Sequence, residues 1–521
     1  MTSLFLYPGM ALSPSEGPSG APAGPAPGSL NVRHCVTRCI EALIDHGTDV
    51  YGPERSPLLM AVIDVGARRS PEKPDLCDSL VRLEERLHRR AERGSNLWYD
   101  QATLRVMRRL SELTGNPRYA NAADAYIDYF WKRCKKEADP SKTYLTGMPA
   151  WGSHVYWNCY EDRPDGDLDG AGPHEILVYQ PEWERMYAVN PEAVRRAIDG
   201  IWKWHVVDKE TGMHNRHDDA RRGLDFAFSG GTFIHAFAFM FHATGEKHYL
   251  DKAKTVANWH WRNRNKETGL VADSPASTDR YDGQHCFTTV AGPHAASLLR
   301  SFEITGEAFF RDVAVAYIKA YDRHGWDEKA ETYFAMLRLD GTPIPERPKG
   351  EGYDAWAPYG HVDVWPTCIF AYEFPLIAAQ AAIYAYELSE DGEGRRDADL
   401  LRIAQRWGRA IEKQLPPQTG RRWKRELEDA MPAARETGGT YAENYGRAIS
   451  FLVHLYRATQ DEKRLRLARD LAREAIEKLF ENDLFKGHPA KPYYEATNGV
   501  GLLLWALLEL DAPDEPLRGA F

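Results

Sequence analysis

Apolar residues in this chain recur mostly three and four positions apart, the spacing of helices that bury one face. One unit repeats: an amphipathic helix, a Thr-Gly or similar turn, a short polar start with an aromatic, then a second amphipathic helix. It is seen in ELTGNPRYANAADAYIDYFWKRC (112–134), HATGEKHYLDKAKTVANWHWRN (242–263), EITGEAFFRDVAVAYIKAYDRHGW (303–326) and RATQDEKRLRLARDLAREAIEKLF (457–480). The glycine predicts a left-handed residue closing the first helix, and the polar residues after it favour the start of the second. Segments 190–206 and 397–415 are degenerate copies. An earlier helix is expected over 31–46, with Val36, Cys39, Ile40 and Leu43 on its buried face. LLMAVIDV (58–65) reads either as a short strand or as a buried connector, and the helical pattern resumes from Asp78.

Each hairpin buries a face only against its neighbours, which is the logic of helical repeats. Six to seven hairpins predict an all-α fold, an (α/α) toroid or barrel, with an open superhelix as the competitor. Long loops at 135–189, 207–231, 268–289, 326–366 and 416–440 favour the closed form. They are rich in Trp, Tyr, His, Gly and Asp, as a ligand-binding face is, whereas solenoids have short uniform turns. Residues 1–29 are almost all Ala, Pro, Gly and Ser and are expected to be a disordered tail. Nothing linker-like interrupts the rest, so 30–521 is expected to be one domain.

Composition narrows the partners. Apolar residues make up 43% of the chain and aromatics 12%, enough for a large core; the 15 Trp and 26 Tyr also suit stacking on sugar rings. A net charge of −10 argues against general nucleic-acid binding, although a local basic cleft can still receive an anionic substrate. No apolar run approaches the roughly 20 residues that span a membrane. Seven scattered cysteines without a CxxC pair suit a reducing compartment, with Cys35 and Cys39 as reduced packing residues. MTSLFLYPGM has no basic start and no long apolar run, so a cytoplasmic location is expected, or a periplasmic or secreted one if the start is misassigned.

The chemistry concentrates between Trp151 and Arg222, in WGSHVYWNCYED, GPHEILVYQPEWE and TGMHNRHDDARR. His154, Glu175 and His217 could hold a divalent metal, with Arg216 beside one ligand. Two imidazoles and a carboxylate suit manganese, cobalt, nickel or zinc rather than calcium, which prefers oxygen. The intervals of 21 and 42 residues are no local ligand motif, and most histidines are structural. The ordered series GSHVYW, GPHE followed by PEWE, then an amphipathic helix and NRH, resembles the family 2 polysaccharide lyases. These are exo-acting pectate lyases with an (α/α) barrel. The resemblance implies that His154, Glu175 and His217 bind a transition metal, manganese foremost, and that Arg216 is the catalytic arginine. It implies β-elimination on an acidic oligo- or polysaccharide of the pectate or oligogalacturonate kind. Arg216 would be either an unusually depressed base or a stabiliser of the enolate, because a free guanidinium stays protonated. Asp218 and Asp219 are expected to hydrogen-bond the ligand loop or to be solvated, and His174, adjacent to Glu175, is its rival as ligand.

Substrate contacts are less determined. Asn96 and Asp100, with Trp98, begin a helix and either touch sugar or cap and pack. Tyr281 and His285 sit before a helix and could supply acid–base groups. Arg222 could pair with a uronate carboxylate, and Tyr441 precedes the last long hairpin, at the expected cleft. A glycoside hydrolase or sugar epimerase on the same toroid is the alternative. A non-catalytic helical carbohydrate-binding protein is the second.

Overall fold

In the computed structural model, residues 31–72, 91–139, 146–166, 172–176, 179–349, 357–366 and 373–515 are described. The 1–29 tail and the start of the helical pattern at Asp78 lie outside them. The first helix, α1, is Val32–His46, with Cys39 buried and Cys35 half-buried, both free thiols. The hairpins follow as α2 (Leu97–Thr114) with α3 (Arg118–Arg133), α4 (Trp183–Val189) with α5 (Pro191–Gly200), and α6 (Ala227–Thr244) with α7 (Lys247–Asn263). Next come α8 (Ala295–Thr305) with α9 (Ala308–Gly325), α10 (Pro375–Glu387) with α11 (Ala398–Lys413), and α12 (Ala442–Thr459) with α13 (Glu462–Leu479). The chain's last helix is α14 (Val500–Asp511).

The turns behave as the repeat predicts. Gly115, Gly245 and Gly306 close α2, α6 and α8 at φ of 71°, 73° and 70°. Gln460 takes the same left-handed conformation at φ 56° without being glycine. The degenerate copies are true hairpin halves: Asn190 caps α5 through the amide of Ala193, and Asp397 caps α11 through that of Asp399.

The first helix of each hairpin lines an inner wall and the second lies outside it. Helices α6, α10, α12 and α14 are buried nearly all round, as inner helices must be. The outer helices keep a polar face. The inner wall runs α4, α6, α8, α10, α12, α14 and back onto α2. Between α2 and α4 the link is polar: Gln101 accepts from the Glu182 amide at 2.8 Å, and Arg105 pairs with Glu182 at 3.1 Å. Helix α1, first in sequence, packs outside α14, the last, and completes a seventh pair. Among the described residues this is a closed (α/α) toroid of seven hairpins, one of them short.

Small sheets brace the loops. Strand β1 (Val62–Asp64), inside the expected 58–65 stretch, pairs antiparallel with β7 (Tyr493–Glu495), Ile63 opposite Tyr494. Strands β2 (Gly94–Ser95), β3 (Val155–Asn158) and β4 (Arg163–Gly166) form one sheet, and β5 (His285–Phe287) pairs with β6 (Met336–Arg338).

His454 ties three inner helices together. From α12 its Nδ1 lies 2.7 Å from Glu387 of α10, and its Nε2 lies 3.2 Å from Glu509 of α14. Burial opposes the charged imidazole, but the two carboxylates overcome it and raise its pKa to about 9. This folded value lies above the unfolded one, so the stabilisation is complete below about pH 6.5 and is lost as pH rises through 9. At most it is worth roughly 3 kcal/mol. Thermal melts should therefore show the wild type losing stability between pH 7 and 10, and a His454→Gln variant staying flatter across that window.

Candidate metal centre

Two of the expected ligands sit in loops ahead of inner helices and the third ahead of a strand. His154 immediately precedes β3. Glu175 leads towards α4, and the 215–226 segment runs into α6. Backbone pairing joins the three: Glu175 bridges Gly152 in parallel and His217 antiparallel, and the Ser153 amide donates to the Glu175 carbonyl at 3.0 Å. Gly152 makes this approach possible. Its φ is +102°, and a Cβ there would stand 2.0 Å from the Glu175 carbonyl oxygen. Asn96 serves both loop and helix. Its Oδ1 accepts from the amides of Trp98 and Gly152, and its Nδ2 donates to the Gly152 carbonyl.

One ligand atom from each of His154, Glu175 and His217 lies within 4.8 Å of the others. His154 Nε2 is 2.8 Å from Glu175 Oε2, and His217 Nε2 is 3.4 Å from Oε1 of the same carboxylate. Arg216 Nε lies 3.0 Å from Glu175 Oε1, and its guanidinium covers the Phe226 ring at 4.5 Å. All four residues are nearly or wholly buried. Burial works against the ionised Glu175, but the Arg216 guanidinium and His154 hold its carboxyl well below the usual range. Burial also lowers the pKa of His217, which keeps that imidazole neutral. A buried carboxylate and two imidazoles converging on one point have the donor set of a divalent transition metal. The His217 Nε2 is buried without a hydrogen-bond partner, as fits a ligand atom. On its other side, Arg221 Nη2 stands 3.0 Å from His217 Nδ1 and Asp219 Oδ2 stands 3.8 Å away. A guanidinium can only donate, so Nδ1 accepts from Arg221 here; ligation through Nε2 would put a proton on Nδ1 and require Arg221 to give way to Asp219.

Behind the site lies a second polar layer. Lys136 and Asp218 form a fully buried ion pair at 2.8 Å, and Asp218 also accepts from the His174 amide at 2.9 Å. Burial lowers the pKa of Lys136 despite Asp218 beside it. His174 points away from the Glu175 cluster, which removes it as a rival ligand. Its ring contacts Trp151 and His205, and burial holds its pKa well below the ordinary value and that of His205 down to about 4.

The expected substrate contacts fare unevenly. Asp100 is wholly buried, accepts from Tyr126 at 2.7 Å, and is raised by burial to about 7. It is an interior residue rather than a sugar contact. Trp98 is 1% exposed and stands edge-on to Trp151, so it offers no open face for stacking; it lines a narrow internal cavity with Tyr179 and Arg447. Tyr441 is also buried, packed on His488. In all three the ring interior claims a side chain that the sequence pattern leaves free to face a cleft. Tyr281 packs with Phe226 and Phe287, close to the ring that Arg216 covers, and His285 Nδ1 donates to the Tyr281 carbonyl at 2.8 Å. Arg222 is exposed on the turn after the ligand loop. Arg280, to which the sequence assigns no role, lies 5.5 Å from the centre of the Phe226 ring that Arg216 also contacts. Phe226 itself carried no signal beyond being apolar before a helix.

Comparison with known proteins bears on the same segment. Residues 85–229 match the family described as periplasmic pectate lyase. A pectate disaccharide-lyase of Dickeya dadantii (strain 3937) is 26% identical over 203 residues, which cover 34% of this chain and 36% of that protein. The chain thus matches little more than a third of that curated relative's length. Among solved structures, D-mannose isomerase is 10% identical, covering 92% of this chain and 96% of that one, at a TM-score of 0.42. A sugar epimerase from a ruminal bacterium is 12% identical over 78% of this chain and 98% of that one, at 0.45. Those likenesses say nothing of chemistry. His154, Glu175, Arg216 and His217 all lie inside the segment that matches the pectate lyase family. The family's periplasmic description overturns the cytoplasmic location expected from the leading residues. No helix among the described residues is long and apolar enough to cross a membrane.

Proposed function

We propose that this chain is a metal-assisted polysaccharide lyase that cleaves uronic-acid chains of the pectate or oligogalacturonate kind by β-elimination. The observation that carries the proposal is the convergence of His154, Glu175 and His217 within 4.8 Å, with Arg216 against the same carboxylate. The relatedness of this segment to pectate lyases supports it.

The reaction removes the proton α to the uronate carboxylate and breaks the bond to the 4-O-glycosidic oxygen. A C4–C5 double bond forms, the C5 proton passes to a solvent base, and the departing oxygen takes up a proton from water and ends as a hydroxyl. A divalent transition metal, manganese foremost, would supply Lewis acidity that neutralises the uronate carboxylate. His154, Glu175 and His217 would hold the cation and fix its place. Arg216 lies beside Glu175, and an arginine paired with a carboxylate keeps its charge. We therefore assign it stabilisation of the enolate-like transition state. Phe226 beneath Arg216 shields that charge from water, which strengthens its effect. Arg222, exposed on the neighbouring turn, is suited to a second uronate carboxylate.

Direct metal binding tests the ligand set. Calorimetric titration of the stripped protein with Mn²⁺ is expected to show one ion per chain and a raised melting temperature, since a ligand at 100 times its Kd stabilises by about 2.7 kcal/mol. Glu175→Gln is expected to abolish both. Equal binding by wild type and Glu175→Gln would refute this centre.

A further inference from the structure

We infer that His174 is the positioning residue of the proposed metal centre, acting through a buried chain of hydrogen bonds whose direction is fixed at both ends. This rests on the metal reading above. At one end, the Trp151 indole N–H, which can only donate, meets His174 Nε2 at 2.7 Å. His174 Nε2 must therefore accept, and its proton sits on Nδ1. That N–H faces His205 Nε2 at 2.8 Å, so His205 carries its own proton on Nδ1. His205 Nδ1 lies 3.0 Å from the Asn215 carbonyl, which can only accept. Every donor in the series has an acceptor, and only one arrangement of protons satisfies all three bonds.

What this series joins gives it meaning. Trp151 lies three residues before His154, His174 one before Glu175, and Asn215 two before His217. Each of the three ligand-bearing segments is thus held by one member. Asn215 also accepts from the His217 amide through its side chain at 2.9 Å, and its amide donates to the His205 carbonyl at 2.8 Å. His205 arrives from a π-helical turn, Ile201–His205, that ends α5. Such a turn departs from regular α-helix, and such departures recur at functional sites. Trp151 is anchored among Trp98, Trp131 and Trp183. The network therefore passes the rigidity of the aromatic core to three loops that local sequence does not hold together. Hydrogen-bonded groups behind a ligand set orient it, and losing them weakens metal binding by about 10–100-fold.

The test uses the full chain and Mn²⁺ as probe. His174→Phe keeps a planar ring but neither accepts nor donates. It is expected to bind Mn²⁺ about 10–100-fold more weakly and to lose kcat on oligogalacturonate with KM little changed. His174→Gln offers an amide oxygen to Trp151 and an amide N–H to His205, and should recover most of the affinity. A merely structural role would lower the melting temperature in both variants without separating their Mn²⁺ affinities. Trp151→Phe, which removes only the terminal donor, provides the second reading should His174→Phe not fold. Mn²⁺ affinity equal to wild type in folded His174→Phe or in folded Trp151→Phe overturns the assignment. A wild type that binds no Mn²⁺ would instead sink the metal reading, and this inference with it.

Discussion

Arg216→Ala is expected to lower kcat/KM on oligogalacturonate by about 10²–10³-fold or more, the range for removing one preorganised charge from a transition state. The side chain is 10% exposed, 3.0 Å from Glu175 and over the Phe226 ring, so bulk cations cannot replace it. Its removal should not weaken Mn²⁺ binding, because a fixed positive charge beside the site repels a cation. Loss of turnover with metal affinity preserved or raised is therefore the expected signature. Arg216→Lys should recover little, since an ammonium has neither the planar fork nor the same reach. Steady-state kinetics and a Mn²⁺ titration on the same samples check both halves.

Asp218→Ala is expected to have the largest effect on stability. It leaves the buried Lys136 ammonium without the carboxylate 2.8 Å away, and it strips the His174 amide of its acceptor. Removing one partner of a buried pair costs about 3–5 kcal/mol. Lys136 can offset part of this by giving up its proton, because burial already lowers its pKa. Denaturant unfolding should show the single variant well below wild type. The double variant Asp218→Ala/Lys136→Met should regain part of the loss, since apolar groups replace buried ion pairs at little cost. A double variant no better than the single one would mean that Asp218 acts mainly through His174.

Much of the ring was legible because its signals are local. Apolar spacing, Thr-Gly turns and polar caps act within one or two helical turns, and each marks a hairpin without reference to the remainder. The pairing of Val32–His46 with Val500–Asp511 has no such signal, since it depends on a ring that closes only once every hairpin is placed. The same distance hides the interior carboxylate. Asp100 reads as an ordinary first-turn acid, yet its partner Tyr126 lies 26 residues on and one helix away. Tyr441, beside a loop rich in polar residues, is likewise taken up by the interior. The four residues of the metal centre were visible through resemblance rather than spacing, because intervals of 21 and 42 residues fix no geometry. His174 was legible only as a rival ligand. Its real partners, Trp151 and His205, are set by a backbone bridge that turns adjacent side chains to opposite sides.

The central claim is that this site performs metal-assisted β-elimination. It is tested most directly by following the ultraviolet absorbance of the unsaturated product on oligogalacturonate, with protein stripped by chelator and then restored with Mn²⁺. No absorbance growth is expected in the stripped protein, recovery is expected on adding Mn²⁺, and Arg216→Ala should show a rate at least about 10²-fold lower at every Mn²⁺ concentration. New reducing ends without absorbance, formed equally in chelator, would show hydrolysis and contradict it.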